Sequence, residues 1–336
     1  MSQVPNIGLN TRPHFAGAQA NTDIHLEMYD GRVEHKFNYN ATFMQFSPQV
    51  TVTNNTNTYR LDKLGSSQVL GRRSMGDINA QRIASEKETI VVSTMMYIRN
   101  IVDSIDDTLA PSFWELYGND NGTRFAEAFD QAHIIKLQKA PAYVAPDSIR
   151  SSIGDGFYVT ANVKANASTT ADLEANAVAI WNAQKAVVDH LRKRNVPLDN
   201  MVTIMNVDNF STLTNHPKAL NKDYSIGGGD FASRRLLQMN GIPAIEMTTF
   251  PTGAVVDHIL TDNNAKADFE LSADEAKGTL IVFDRVKSLK TIFAKQWASD
   301  FYEDKTNMQW VLDSKAIFTV AVNRADTIGV VRVVEA

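Results

Sequence analysis

The period of the apolar positions changes along this chain, and each change predicts a different element. Residues 1–45 are polar, Asn-rich and show neither helical nor strand periodicity, which predicts an extended arm that buries too little apolar area to fold alone. Phe46, Val50 and Val52 begin a strand-like pattern. In Tyr59-Arg60-Leu61-Asp62-Lys63-Leu64 apolar and charged residues alternate as in a half-buried strand. Gly65, Gly71 and Gly76 then punctuate a charged stretch with Arg72, Arg73, Asp77 and Arg82, and a second extended run follows through Thr89, Ile90, Val91 and Val92. Together these read as a long hairpin with too few apolar residues for a core of its own. An isolated hairpin is marginal in water, so this one calls for a neighbouring molecule to hold it. A solvated surface loop is the bland alternative.

Residues 98–117 are predicted helical, with Asp103, Asp106 and Asp107 ahead of Pro111. A clearer helix is expected over 123–137, where Phe125, Phe129, Ala132 and Ile135 make one stripe, Asp120 and Asn121 can cap the start, and Pro141 stops the chain beyond. Residues 149–165 read as loop and then strand. The strongest helix spans 170–194, capped by Thr169 or Thr170, with Asp172 and Glu174 at its positive end and Arg192, Lys193 and Arg194 at its negative end. A strand at 201–205, a helix at 208–220, the flexible Gly227-Gly228-Gly229 and a helix end, turn and strand across 235–247 complete an α/β lobe. The last third is strand-rich, at 280–283, 289–293, 308–312, 316–322 and 329–334, so the fold class is α+β.

Composition narrows the function. With 336 residues, 43% of them hydrophobic, a sizeable core is available. A net charge of −5 argues against a sequence-specific reader of nucleic acid, whose affinity comes largely from phosphate neutralisation. The absence of cysteine excludes disulfides, thiolate metal sites and cysteine nucleophiles. No apolar run approaches the ~18 residues of a membrane span, and no signal peptide is visible, so no membrane partner is expected. The glycosylation-like triplets at Asn40, Asn54, Asn121, Asn166 and Asn209 are then chance matches.

Candidate chemistry is thin. The glycine triplet lacks the spacing of a phosphate loop, and the seven histidines are scattered. Asp103, Asp106, Asp107 and Glu115 form the best enzymatic candidate: on a helix, Asp103 and Asp107 would share a face and could hold a divalent cation. No general base or oxyanion donor accompanies them, and carboxylates near a helix start are favourable in any case. No cofactor and no catalytic residue is assigned.

The order of elements carries more than any motif. Leu70-Gly71-Arg72 in the hairpin, Glu86-Lys87-Glu88-Thr89-Ile90-Val91-Val92, Ile101-Val102-Asp103-Ser104-Ile105-Asp106-Asp107 before a helix, Asn195-Val196-Pro197, Asn240-Gly241-Ile242-Pro243 and Phe283-Asp284-Arg285 follow one another, and Asn323-Arg324-Ala325-Asp326 precedes Val330-Val331. This series resembles the major capsid proteins of tailed phages, the Hong Kong 97-type fold, and among them the coat proteins of short-tailed phages; Ala325 stands where the family's closing segment has proline.

The resemblance implies an N-terminal arm at 1–45, an E-loop hairpin with flanking strands at 46–97, and a P-domain at 98–167 with its spine helix at about 123–137. An α/β A-domain follows at 168–288, and P-domain strands return at 289–336. It implies self-assembly into pentamers and hexamers of an icosahedral head around double-stranded DNA, in the virion, after assembly in the host cytoplasm. Scaffolding, portal and decoration proteins would be the partners, and packaged DNA would be contacted without sequence preference. The hairpin would lie across an adjacent subunit, Arg60, Arg72, Arg73 and Arg82 meeting acidic groups such as Asp103, Asp106 and Asp107. A bacterial nanocompartment shell of the same fold is the alternative, and a carboxylate metal enzyme the alternative of another class.

Overall fold

The computed structural model describes residues 32–335 apart from 38–39, 53–55, 68, 73, 77–79, 104–112, 151, 217–237 and 262–268. Three sheets organise the chain. A four-stranded sheet has the order β1 (Gln49–Thr51), β10 (Leu289–Asp304), β11 (Gln309–Val322) and β4 (Met95–Asp103). A six-stranded mixed sheet has the order β5 (Phe157–Val163), β12 (Ile328–Glu335), β9 (Gly278–Asp284), β6 (Met201–Asn206), β8 (Ile242–Met247) and β7 (Gln238–Met239). A separate hairpin pairs β2 (Thr58–Leu64) with β3 (Ser85–Val91).

The six-stranded sheet is covered on both faces, which explains why β6 and β9 are apolar almost throughout. On one face Val202, Ile204, Ile281, Phe283 and Val330 share a core with α2 (Phe113–Lys139) and the four-stranded sheet. On the other, Met205, Leu280, Val282 and Val331 pack against Ile180, Val187 and Leu191 of α3 (Thr170–Lys193). Thr169 caps α3 by accepting the N–H of Asp172, as expected. Between β7 and β8, Asn240 and Gly241 both have positive φ, 51° and 83°, the pair that a tight hairpin turn requires. Short helices α4 (Val207–Leu213) and α5 (Ala273–Ala276) complete the lobe. The stretch expected as helix over 208–220 ends at Leu213, and Gln238 and Met239, expected near a helix end, are strand. The glycine triplet lies outside the described residues.

Three expectations are corrected. Residues 98–103 are strand, not helix: Met96, Ile98 and Val102 alternate with exposed positions, and β4 pairs antiparallel with β11 from Met95↔Ile317 to Asp103↔Gln309. The helix expected at 123–137 begins at Phe113, so Asp120 and Asn121 lie within it and do not cap it. Gly118, Asn119, Asp120, Asn121 and Gly122 are poor helix formers, each glycine costing about 1 kcal/mol relative to alanine. Tertiary packing overrides this, since Asn121 and Gly122 are buried.

The packing comes from the supposed arm, the third correction. Residues 32–37 form a helix, α1, whose Val33 and Phe37 are buried, four positions apart. A carbon added at Gly122 would stand 2.7 Å from the Val33 carbonyl oxygen, so α1 approaches where α2 has no side chain. Phe37 meets the rings of Phe129 at 5.3 Å and Trp297 at 4.6 Å.

The chain beyond α1 is pinned by two neighbouring residues of α2. Asp130 accepts the backbone N–H of Thr42 at 3.0 Å and of Phe43 at 3.1 Å. His133 has Nδ1 2.7 Å from the Phe129 carbonyl oxygen, which can only accept, so that nitrogen carries the proton. Its Nε2 lies 2.8 Å from Thr291 Oγ1, and that hydroxyl is hydrogen-bonded to Ser47 at 2.8 Å. The Phe43 ring stacks on the imidazole at 4.9 Å.

Burial decides the charge of both groups. It lowers the His133 pKa to about 4, against the hydrogen bond to Phe129. It raises that of Asp130 to about 6, against the backbone N–H groups of Phe43 and Thr42. Their linkages have opposite signs. The contribution of His133 to stability is complete above pH 6.5 and is lost as pH falls toward 4. That of Asp130 is complete below pH 3.8 and is lost as pH rises through 6.

Gly122→Ala is expected to leave α2 helical while displacing α1, so that hydrogen exchange at residues 41–43 accelerates; a variant as protected as the parent would contradict this close fit. His133→Gln is expected to lose about 3 kcal/mol less stability than the parent on going from pH 7 to below pH 4, from the drop of 6.5 to about 4. Thermal unfolding against pH measures the difference, and parallel curves would refute it.

Candidate inter-subunit surface

The hairpin is built in two unlike parts. Its base is tied to the body. Period-two alternation turns Tyr59, Leu61 and Lys63 inward, so Lys63 is buried and Leu64 exposed. The Lys63 ammonium donates to Glu88 Oε2 at 2.6 Å and to the Tyr143 hydroxyl at 3.2 Å. Lys290 donates to the Tyr59 hydroxyl at 3.0 Å, and Ser148 to Glu86 at 3.1 Å. Val92 packs on Ile292 and Ala321, with Tyr59 and Ile90 alongside.

Every described residue from Ser66 to Ile83 is exposed. Met75 is 96% exposed, and Val69, Leu70 and Ile83 are also bare. Apolar and ionic side chains are thus exposed together along the described part of this finger.

The sequence-derived site residues divide accordingly. Arg60 pairs with Asp62 on its own strand at 2.7 Å. Arg72 donates Nε to the Gly76 carbonyl at 2.5 Å. Arg82 is exposed on the returning limb. Asp103 ends β4, partly buried and opposite Gln309. Arg73, Asp106 and Asp107 lie outside the described residues, as does the side chain of Glu115. Because β4 runs for nine residues, about 27 Å, Asp103 stands at the far end of that strand from the hairpin. Arginine-to-Asp103 contacts of the expected kind would therefore join different copies. The helical face that Asp103 and Asp107 were to share does not form, because Asp103 is in a strand, and that removes the premise of the metal-site alternative.

Sequence reading missed a second exposed surface. The far ends of β4, β11 and β10 extend the sheet as three strands, packed into the main core through Val102 and Leu312 while Tyr97, Ile101, Tyr302 and Met308 stay exposed. Arg99 holds Asp313 with two bonds of 2.6 and 2.7 Å, and Lys315 holds Asp300, so ion pairs cross all three strands. These bonds raise the pKa of Arg99 and lower that of Asp300. The β-prone residues Tyr97, Ile98, Ile101 and Val102 were the available signal. Lys63 was also missed, although its two-residue spacing from Leu61 places it on the inward side.

No family model and no curated protein matches the sequence. Among solved structures, the chain matches one in the asymmetric unit of the bacteriophage PhiM1 mature capsid over 100% of both chains, with 30% identity and a TM-score of 0.77. A chain of the capsid of cyanophage P-SCSP1u is 14% identical, with 88% of this chain and 89% of that chain covered and a TM-score of 0.72. The virus-like particle from Pyrococcus furiosus is 9% identical, with 91% and 99% covered and a TM-score of 0.51.

Lys63→Met is expected to loosen the hairpin base, leaving Glu88 and the Tyr143 hydroxyl without their donor. Limited proteolysis within 65–84 should quicken several-fold while the far-ultraviolet spectrum stays unchanged; an unchanged cleavage rate would show that the base holds without this ammonium.

Proposed function

The chain belongs to the major capsid proteins of tailed bacteriophages, which form the icosahedral shell, and on that premise we propose how its surface builds one. Function resides in interfaces and not in catalysis. The observation that carries this reading is the contrast within the hairpin, whose base is bonded to the body while the described residues of its tip are exposed. A finger of this design lies across an adjacent subunit. Arg60, Arg72, Arg73 and Arg82 would face acidic groups there, with Asp103, Asp106 and Asp107 as acceptors.

Each exposed ion pair contributes at most ~1 kcal/mol. A closed shell repeats the contact at every subunit, and weak single contacts let misplaced subunits leave before the shell closes. The α/β lobe would point toward the centre of pentamers and hexamers, with α2 and the four-stranded sheet as the peripheral platform. The net charge of −5 suits a wall that does not grip packaged double-stranded DNA. Assembly would proceed in the host cytoplasm with a scaffolding protein and a portal protein, and a decoration protein could bind the finished surface.

The nanocompartment alternative has less behind it. At 9% identity the match to the Pyrococcus furiosus particle is one of fold alone, against 30% over the full chain for the phage capsid.

Reversing charge at Arg72 and Arg73 together, both to Glu, is expected to leave the monomer folded by circular dichroism and to deplete particles in electron micrographs of the expressed protein. Normal particles in normal yield from the double variant would refute the role given to the hairpin.

A further inference from the structure

β4 is the last strand of its sheet. β11 pairs with it without a break from Met95 to Asp103, and among the described residues no strand lies on its other side. The nine residues hold no proline and no glycine, and their register has no bulge that would turn the edge away. A long, regular edge of this kind is a template for a further strand, because its outward N–H and C=O groups stand in a row.

The exposed face beside the edge is ordered in rows. Ile101, Val311 and Tyr302 lie side by side across β4, β11 and β10, and Arg99, Asp313 and Asp300 form the next row. Along β4 this face carries Tyr97, Arg99, Ile101 and Asp103 in alternation, so a cation and an anion stand at equal steps from Ile101. Two N–H groups of Arg99 go to Asp313, and the guanidinium fork has others for a second carboxylate.

That symmetry selects the occupant. A twofold axis normal to the sheet sets two copies of β4 antiparallel and keeps each side chain on its own face. With the axis at Ile101, Ile101 meets its counterpart and Arg99 lies opposite Asp103 on both sides. An axis at Arg99 or at Asp103 would set like charges opposite each other, which destabilises paired strands. An axis at Asn100 sets Arg99 against Ile101 and Tyr97 against Asp103, and matches no opposite charges. We propose that β4 of one copy pairs antiparallel with β4 of a second copy about Ile101, Arg99 of each meeting Asp103 of the other. The apolar row then runs unbroken from Tyr302 of one copy to Tyr302 of the next. So short a contact is weak alone and gains strength where a shell repeats it. A carboxylate accepts from more than one side, so Asp103 can serve a hairpin arginine as well. The inference rests on the reading of the chain as a shell subunit and adds a contact that the hairpin does not make.

Because the chain has no cysteine, the axis can be trapped directly. Ile101 is 54% exposed, so Ile101→Cys leaves the core untouched. Directly opposed positions of antiparallel strands lie about 4.5–5.5 Å apart, within reach of a disulfide. Full-length Ile101→Cys is assembled into particles, oxidised and run on a non-reducing gel. A linked dimer is expected, and none from Tyr97→Cys, whose two copies would stand about 27 Å apart. Particles in which Ile101→Cys stays monomeric would give this edge to another occupant and overturn the inference, leaving the shell reading intact. A dimer from Tyr97→Cys, with or without one from Ile101→Cys, would overturn it too. Failure of the unmodified chain to form any particle would overturn both.

Discussion

One buried knot holds segments that are far apart in sequence. Asp130 and His133, one turn apart on α2, reach the backbone at Thr42 and Phe43, the Thr291 hydroxyl on β10 and, through it, Ser47. The root of the N-terminal segment, the long helix and the four-stranded sheet are fixed relative to one another there. Polar groups in such a place are costly unless every partner is present, so the geometry is all or nothing. The surrounding rings of Phe37, Phe43, Phe129 and Trp297 supply the apolar area that makes the arrangement affordable.

With that platform fixed, the chain can leave other parts unfinished. The hairpin is secured at its base by Lys63, Tyr59 and Val92, while the described residues of its tip are exposed. The three-stranded extension of β4, β11 and β10 is braced by Arg99–Asp313 and Lys315–Asp300, yet keeps Tyr97 and Ile101 in solvent. The residues that brace the fold and the residues it leaves exposed are thus different ones. This separation suits a subunit that must fold before it meets its neighbours.

Elements governed by local period were legible in the sequence. Helix α3 has a cap, an amphipathic stripe and a basic end, and it forms where these signals place it. The β2–β3 pair and the Asn240-Gly241 turn follow from alternation and from turn chemistry. Misreadings arose where tertiary contacts outweigh local preference. Gly118 to Gly122 reads as a break and is helical, because α1 packs against it. The acidic residues after Val102 drew a helical reading onto what is an edge strand beside β11. α1 itself has only Val33 and Phe37 as apolar anchors, too few to stand out from a polar leader. Among charged residues, sequence reading singled out the hairpin arginines and passed over the inward Lys63, whose side chain ties the finger to the body.

The pairing of β10 with β11 slips between Phe293 and Lys295 and again between Lys295 and Ala298. Extra residues on one strand sharpen its coil and bend it, so the portion beyond Ala298 leaves the plane of the portion before Phe293. This elbow sits between the part of the sheet beside the knot around His133 and the outer stretch of the three strands, and it sets the angle between them. The course of the outer stretch is in that way written into two surplus residues of one strand.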